Sequence, residues 1–309
     1  MAEILGDLSH DSVNRFLLRE NYEPRDLFAL VEKFIAPSGG ILSVDDTVIE
    51  KLYSDTRNAE LIGYFWSGKY HQVIKGLNLI VLYYGDKSGK GVPVNYRIYD
   101  PKEEKTKNEY FREMVEEIIS WGLKPRIVTG DSWYSGVENL KFLRNRGLGF
   151  LFGIAQNRTV SVERGNPVRV DSLAISDEGL PAHLKGFGQI KLFRKDFKKG
   201  DSRHYIMYRP EPEVLAEITR EEFESAHDAH WEIENFHRAI KQVCGIARFM
   251  VRDSRAIRNH IFGSLTAFIH LEKMRAEATI SNWYELQRNL FTSVIREYIV
   301  NNLTGACPN

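Results

Sequence analysis

The sequence is poor in cysteine, has no excess charge of either sign and contains no long apolar run. Its two cysteines, Cys244 and Cys307, form neither a metal-ligand spacing nor a disulfide framework, so we expect a reduced intracellular setting. Basic and acidic residues number 42 each, a balance that is uninformative about nucleic acid because local patches can still be basic. We expect no membrane span, since that would need about eighteen consecutive apolar residues. The acidic start argues against a signal peptide.

The composition is that of a folded globular protein. The 309 residues are 43% hydrophobic and 27% charged, enough for one large domain or two ordinary ones. Short helices are predicted at 9–35, before the helix-breaking PSGG at 37–40. The following ILSV predicts a short buried strand that ends at Asp45 and Asp46.

Four strands and two helices then follow in an informative order. The segments 71–86 and 92–100 predict two strands that form a hairpin and pair with the first strand as an antiparallel meander. Residues 108–122 have the apolar spacing of an amphipathic helix. A strand at 125–131, a helix in GVENLKFLRNRG and a strand in LGFLFGIA come next, and helical crossovers make such strands parallel. This order predicts an α/β fold, a ribonuclease-H-like mixed sheet with flanking helices.

A β-rich insertion interrupts that core. Glycine, proline and short strand-like runs dominate from residue 156 onward, and long helical patterns return after residue 213. The expected division is an N-terminal helical region at 1–40, a catalytic core at 41–155 and 213–275, a β insertion at 156–212 and a C-terminal helical tail at 276–309.

Carboxylates occupy the predicted ends of two core strands. The first strand ends at Asp45 and Asp46, and the strand at 125–131 ends in Asp131. Adjacent carboxylates raise each other's pKa unless a charge compensates, and a divalent metal bound through oxygen is the usual compensation. The alternative is structural, because an aspartate after a strand often forms a turn or caps a helix. Glu234, far along the chain in a helical pattern, could equally be a surface carboxylate.

Three motifs together resemble the DDE transposases of bacterial insertion sequences, closest to the insertion-sequence 701 and insertion-sequence 4 groups. The motifs are DDT at 45–47, GDSWYSG at 130–136 and WEIENFHRAIK at 231–241. They resemble the first-aspartate motif, the second-aspartate motif and the glutamate helix, with a β insertion between the last two. The resemblance covers residues 9–275.

The resemblance implies a function and a set of ligands. Asp45, Asp131 and Glu234 would be the catalytic triad and would bind two Mg²⁺ ions, for which Mn²⁺ can substitute. The activity implied is metal-dependent cleavage and strand transfer of transposon ends. The partners implied are terminal inverted repeats and target DNA, with a homodimer assembled on DNA, and the location is the bacterial cytoplasm at the nucleoid. No membrane is involved.

The choice of the first aspartate stays open in the family pattern, and two positions of the glutamate helix depart from that pattern. The pattern Asp-x-Thr/Ser selects Asp45, whereas a register one residue later would select Asp46, and strand alternation leaves at most one of them facing the metal. In the glutamate-helix signature, His227 and His230 stand where this family has Tyr and Arg. Glu234 and Lys241 match the signature.

DNA contacts are expected from basic residues near the triad and in the insertion. Glu234 and Lys241 are seven residues apart, so they share one helix face, with His227, His230 and His237 or Arg238 along it. Residues 185–210 carry eight basic and two acidic side chains with interleaved aromatic residues, which suits phosphate binding. The DNA-binding residues predicted are Lys241, Arg238, His230, Lys195, Lys198 and Lys199. The alternative for the insertion is a solvated β-hairpin.

Two other functions are compatible with this sequence. One is a different ribonuclease-H-like nuclease, which cleaves without joining DNA ends. The other is a truncated, non-catalytic DNA-binding remnant, because members of the family carry a longer N-terminal DNA-recognition region than the one expected here.

Overall fold

The computed structural model describes residues 9–163, 165–197, 200–211, 215 and 217–285. Its helices are α1 (His10–Arg19), α2 (Pro24–Val31), α3 (Lys107–Ser120), α4 (Val137–Asn145), α5 (Arg220–Gln242) and α6 (Ser254–Ala276). Its strands are β1 (Ile41–Glu50), β2 (Gly63–Ser67), β3 (Gln72–Gly85), β4 (Gly91–Ile98), β5 (Ile127–Gly130), β6 (Gly149–Ile154), β7 (Thr159–Ser161), β8 (Pro167–Arg169), β9 (Leu180–Leu184), β10 (Gly188–Asp196) and β11 (Ser202–Tyr208). Most of the predicted C-terminal tail, residues 286–309, lies outside the described residues.

The eleven strands form one mixed sheet in the order β2-β3-β1-β5-β6-β11-β10-β9-β7-β8, with β4 also paired to β3. β1 pairs antiparallel with β3, and β3 with β4, which confirms the predicted meander. β5 pairs parallel with both β1 and β6, as the helical crossovers α3 and α4 predict. The α/β, ribonuclease-H-like fold class is thereby confirmed.

The first strand is longer than predicted. β1 does not end at Asp45 but continues to Glu50, because its antiparallel partner β3 supplies a ladder along the whole strand, from Ile41 opposite Gly85 to Glu50 opposite Gly76. The parallel ladder with β5 is shorter and ends at Val44 opposite Gly130. Both aspartates of DDT therefore lie inside a strand, just past the point where β5 stops.

The inserted strands extend the core sheet. β11 pairs antiparallel with β6, and β10 and β9 continue from it, so the insertion prolongs the sheet beyond the core strands. β2, which the sequence analysis did not predict, adds a short edge strand beside the first residues of β3. The sheet therefore reaches well past the five strands of the predicted core on the insertion side.

Helices cover both faces of β1. His237 of α5 contacts Asp45, whereas Lys107 at the start of α3 binds Asp46, so α5 and α3 lie on opposite faces of the strand. The apolar side of α5 is buried, and Phe236 packs between Tyr83 of β3 and Phe268 of α6, with ring centroids 5.3 and 4.8 Å away. This packing fixes the rotation of α5 about its axis. In the part of the chain that is described, no helix combines the length and apolar character needed to cross a bilayer.

Candidate active site

β1 and β5 bring Asp45 and Asp131 together. The last pair of the parallel ladder is Val44 with Gly130, and each aspartate follows its member of that pair. Gly130 is needed at this point, because a Cβ atom there would lie 2.7 Å from the Phe152 ring and 2.8 Å from the Val44 side chain. The close approach of these strands therefore sets the separation of the two carboxylates.

Asp131 also has a structural role at the end of β5. Its Oδ1 accepts a hydrogen bond of 2.9 Å from the backbone N–H of Trp133 and so caps the short 3-10 helix Ser132–Tyr134. Asp131 thus caps a short helix after a strand, the structural alternative to a catalytic role. It is compatible with metal binding, since a carboxylate offers about four lone-pair positions.

Asp45 and Asp46 face different neighbours. Asp46 accepts hydrogen bonds from Lys107 Nζ at 2.7 Å, Asn78 Nδ2 at 2.7 Å and Tyr134 Oη at 3.3 Å. These partners occupy its two oxygens on the α3 side of the sheet. Asp45 points to the α5 side, which favours it over Asp46 as the first metal ligand.

The helix α5 carries Glu234 and His237 to the same side. The helix starts at its N-cap Thr219, whose Oγ1 accepts from the backbone N–H of Glu222 at 3.2 Å. Ligand atoms of Asp45, Glu234 and His237 all lie within 4.8 Å of one another. The fold therefore joins groups that are almost two hundred residues apart in the sequence. Asp131 is beside this group but is not a member of it at that distance.

Three carboxylates, those of Asp45, Asp131 and Glu234, are crowded together at this edge of the sheet. Partial desolvation and repulsion from Asp45 raise the pKa of Asp131 to about 6, against hydrogen bonds from backbone amides. Desolvation and the same repulsion raise the pKa of Glu234. Burial by itself would raise the pKa of Asp45, but the contact with His237 and the hydrogen bond from the Asp46 backbone outweigh it, so that pKa lies below its ordinary value.

This donor set fits a hard divalent cation. Asp45 stays ionised, while Asp131 and Glu234 are anions held at an electrostatic cost that a nearby cation would remove. Carboxylate oxygens are the ligands that magnesium and manganese prefer. The arrangement can therefore bind metal, and its chemistry does not identify which divalent ion.

Lys241 of α5 contacts the DDT motif directly. Its Nζ donates a 2.6 Å hydrogen bond to Thr47 Oγ1, two residues after Asp45. Desolvation lowers the pKa of Lys241. The ammonium group is thus held beside the carboxylates, in a position suited to a phosphate oxygen. Arg238, on the same helix, is exposed.

The two histidines that replace Tyr and Arg of the family signature are engaged within the protein. His230 Nδ1 is 3.2 Å from Thr129 Oγ1, which is 2.8 Å from Ser43 Oγ. Burial lowers the pKa of His230 to about 4, so the ring is neutral at neutral pH and cannot act as a cation. His227 lies between Lys195 and Tyr205, at 3.1 and 3.2 Å.

Of the three insertion lysines predicted to contact DNA, the structure describes one. Lys195 forms an ion pair with Glu224 of α5 and lies 3.7 Å from Asp228, so its charge is balanced within the protein. Lys198 and Lys199 lie outside the described residues. The sequence shows the cluster of basic residues at 185–210. It does not show that acidic side chains of α5 pack against Lys195.

A cavity of about 480 Å³ opens next to the carboxylates, between α5 and the insertion. Asp131 and Glu234 line it, together with Trp231, Tyr205 and Arg203. Trp231 is 54% exposed, so its ring is accessible from this cavity. Trp231 was not among the predicted site residues; its position three residues before Glu234, on the same helix face, was the available signal.

Comparison with known proteins agrees with this geometry. A family model described as a transposase DDE domain matches residues 37–269, which is most of the chain. No curated protein sequence matches significantly.

Among solved structures, a piggyBac transposase synaptic complex with hairpin DNA is similar, with a TM-score of 0.50, 15% identity and 96% of this chain covered. The chain spans 64% of the length of that piggyBac chain. A Drosophila P element transposase strand transfer complex gives a TM-score of only 0.28 at 8% identity, over 93% of this chain and 79% of that one, and supports no comparison of folds. The resemblance to DDE transposases is confirmed by the family match: the chain belongs to the transposase DDE domain family.

Proposed function

We propose that this protein is a DNA transposase that catalyses metal-dependent cleavage and strand transfer of transposon ends. The observation that supports this most directly is the convergence of Asp45 and Glu234, from two distant segments, beside Asp131 at one rim of the sheet. A chain of the transposase DDE domain family has a catalytic use for such a group of carboxylates.

Asp45, Asp131 and Glu234 are the proposed metal ligands. Two magnesium ions, for which manganese can substitute, would when bound activate the attacking hydroxyl and stabilise the leaving 3′-oxygen. The crowded carboxylates create the negative potential that attracts these cations. Asp46 contributes indirectly, because its partners hold β1 and the start of α3 together below the site.

DNA is the proposed substrate, at terminal inverted repeats and in the target. Lys241 and Arg238 are the cations of α5 placed to meet phosphates, and the cavity lined by Trp231 and Arg203 can take part of a nucleotide next to the reacting phosphate. Lys198 and Lys199 remain proposed contacts from sequence alone. His230 and Lys195 are better assigned to support of the site, because one is neutral and the other is ion-paired.

The remaining parts of the proposal concern assembly and organisation. We propose a homodimer on DNA, because joining two transposon ends requires two active sites, and a location at the bacterial nucleoid. The piggyBac structure is described as a synaptic complex with hairpin DNA, which makes DNA the natural partner to test first. The proposed catalytic unit is 41–155 with 213–275, and 156–212 is the insertion.

The test is cleavage and joining of DNA that carries the element's own terminal repeats. Purified protein is incubated with labelled end DNA, a target plasmid and Mg²⁺ or Mn²⁺, and both nicked and joined products are measured. We expect joined products from the wild type and none from Asp131→Asn, while Asp177→Asn, an exposed aspartate of the insertion, acts as the matched control.

Three other outcomes would contradict the proposal in distinguishable ways. Undiminished cleavage by Asp131→Asn would remove the triad assignment. Metal-dependent cleavage without joined products would indicate a nuclease. Specific binding of the ends with no metal-dependent chemistry would indicate a DNA-binding remnant.

A further inference from the structure

His237 is buried directly beneath the carboxylate group. It lies one helical turn after Glu234 on α5, is 5% exposed, and packs against the neighbouring Phe236 ring at 5.4 Å between centroids. Histidine is a costly residue to bury in such surroundings unless its nitrogens are used. The apolar face of α5 could hold an aliphatic residue here, so the imidazole calls for a specific explanation.

The contacts of Asp45 supply one. Oδ1 of Asp45 accepts a 2.8 Å hydrogen bond from the backbone N–H of Asp46, and Oδ2 lies 3.4 Å from His237 Nδ1. Each oxygen of this carboxylate therefore has its own anchor. With both anchors in place the side chain has one orientation, and its remaining lone pairs are available to a ligand at the rim.

The other ring nitrogen selects the tautomer. His237 Nε2 is buried and has no hydrogen-bond partner among the described residues. A proton on Nε2 would be an unsatisfied donor in the interior, whereas a proton on Nδ1 can be donated to Asp45. The arrangement thus favours a proton on Nδ1 over a proton on Nε2.

The lack of a described partner for Nε2 also distinguishes between two roles for His237. As a direct metal ligand it would turn the Nδ1 lone pair toward the cation and carry its proton on Nε2, which has no acceptor among the described residues. As a hydrogen-bond donor to Asp45 it needs no acceptor at Nε2. The geometry favours the donor.

We propose that His237 is a positioning residue that donates its Nδ1 proton to Asp45 and so orients this carboxylate for metal binding. This inference rests on the proposed function, in which Asp45 is a metal ligand. Hydrogen-bond partners of metal ligands fix ligand orientation, and their loss typically weakens metal affinity by about 10–100-fold.

Replacements that move the donor test the inference. In His237→Asn the side-chain amide can occupy the Nδ1 position, whereas in His237→Gln it lies nearer to the Nε2 position. His237→Phe keeps the ring and removes both nitrogens. We expect the dissociation constant for Mn²⁺ to rise by about 10–100-fold in the Gln and Phe variants and by less than about threefold in the Asn variant.

The readout is Mn²⁺ binding to the full chain without DNA, measured by electron paramagnetic resonance of free Mn²⁺, with thermal unfolding recorded alongside. Gln and Phe variants with wild-type affinity, or an Asn variant as weak as the Gln variant, would overturn the inference. A ¹⁴N coupling to bound Mn²⁺ that disappears in His237→Phe would show a direct ligand and also overturn it. If the Phe variant does not fold, the Asn and Gln pair still decides, since both are polar and differ in where the donor lies.

Asp45→Asn and Glu234→Gln separate this inference from the proposed function. If these variants lose Mn²⁺ binding while the histidine variants keep it, only the role of His237 is wrong. If they keep Mn²⁺ binding as well, the carboxylate site itself is wrong.

Discussion

Asp45 and Asp46 are neighbours in the sequence, yet the two faces of β1 give them opposite chemical surroundings. Asp46 meets three hydrogen-bond donors on the α3 side, one of them a lysine, so its charge is balanced. Asp45 faces two further carboxylates, whose pKa values are both raised. A strand can thus carry a structural and a reactive carboxylate at adjacent positions, because successive side chains point to opposite faces.

The largest expected difference between the two aspartates is in catalysis. Asp45→Asn should lower the rate of end cleavage by about 10³-fold or more, because it removes a metal ligand at the reacting centre. Asp46→Asn should leave the rate within about tenfold of wild type, a change of about 1.4 kcal/mol in the barrier. Single-turnover cleavage of end DNA measures both, and equal losses would abolish the distinction between the two faces.

Metal binding should also stabilise the Asp45→Asn and Asp46→Asn variants to different extents in thermal unfolding. Mn²⁺ at about 100 times its dissociation constant should stabilise the wild type and Asp46→Asn by about 2.7 kcal/mol, and Asp45→Asn by little or nothing. Chelation should reverse the gain. A metal-induced shift that survives in Asp45→Asn would place the ion elsewhere.

This stabilisation should depend on pH through Asp131. Its folded pKa of about 6 is above the ordinary value, so its protonated form stabilises the metal-free protein at acid pH, and that contribution is lost as pH rises through about 6. The metal must displace this proton, so metal stabilisation should grow over the same interval. Unfolding curves with and without Mn²⁺ from about pH 5 to about pH 7 measure both trends; a metal-induced shift that is constant over this range would contradict the assignment of Asp131.

The sequence predicts the sheet better than it predicts where β1 ends. The meander and crossovers follow from strand and helix periodicity, but two consecutive aspartates in SVDDTV look like the end of a strand. β1 continues because the buried run of β3 opposite it, Leu77 to Tyr84, holds the ladder. That support is a long-range contact, which local periodicity does not contain.

The site was only partly predictable for a similar reason. The family motifs indicate Asp45, Asp131 and Glu234, but not that His237 contacts Asp45 or that three donors hold Asp46, since both depend on side-chain directions in the folded sheet. Likewise, β2 was missed because GYFWS is half exposed at a sheet edge and lacks regular alternation of apolar and polar residues.

Asp46 should in turn be the more important aspartate for stability in the absence of metal. Its replacement by Asn weakens the bonds from Lys107 and leaves that ammonium poorly paired, which should lower the free energy of unfolding by about 1–3 kcal/mol. Urea unfolding in the presence of a chelator measures this. Asp196→Asn, at an exposed ion pair with Arg194, should cause no measurable change. A double-mutant cycle with Lys107→Met should show coupling; strictly additive effects would mean that the ion pair is not what Asp46 contributes.

The smallest expected effects concern DNA binding. They test whether DNA contacts the same face of β1 as the one from which Asp45 projects. Lys241→Gln and Arg238→Gln should each reduce the slope of log affinity against log salt by about 0.9, the value for one phosphate contact on duplex DNA. His230→Gln should leave the slope unchanged, because burial lowers the pKa of His230 to about 4 and the ring carries no charge at neutral pH.

Lys195→Gln should also leave the slope unchanged, since Lys195 is already paired with Glu224. Binding of end DNA without divalent metal, measured at several salt concentrations, tests all four variants. A slope reduced by His230→Gln or Lys195→Gln would mean that DNA opens contacts that are closed in the free protein. In that case the charge balance of the free protein would be a poor guide to its DNA-bound state. A slope that only Lys241 and Arg238 reduce would place the DNA backbone along α5, on the reactive side of β1.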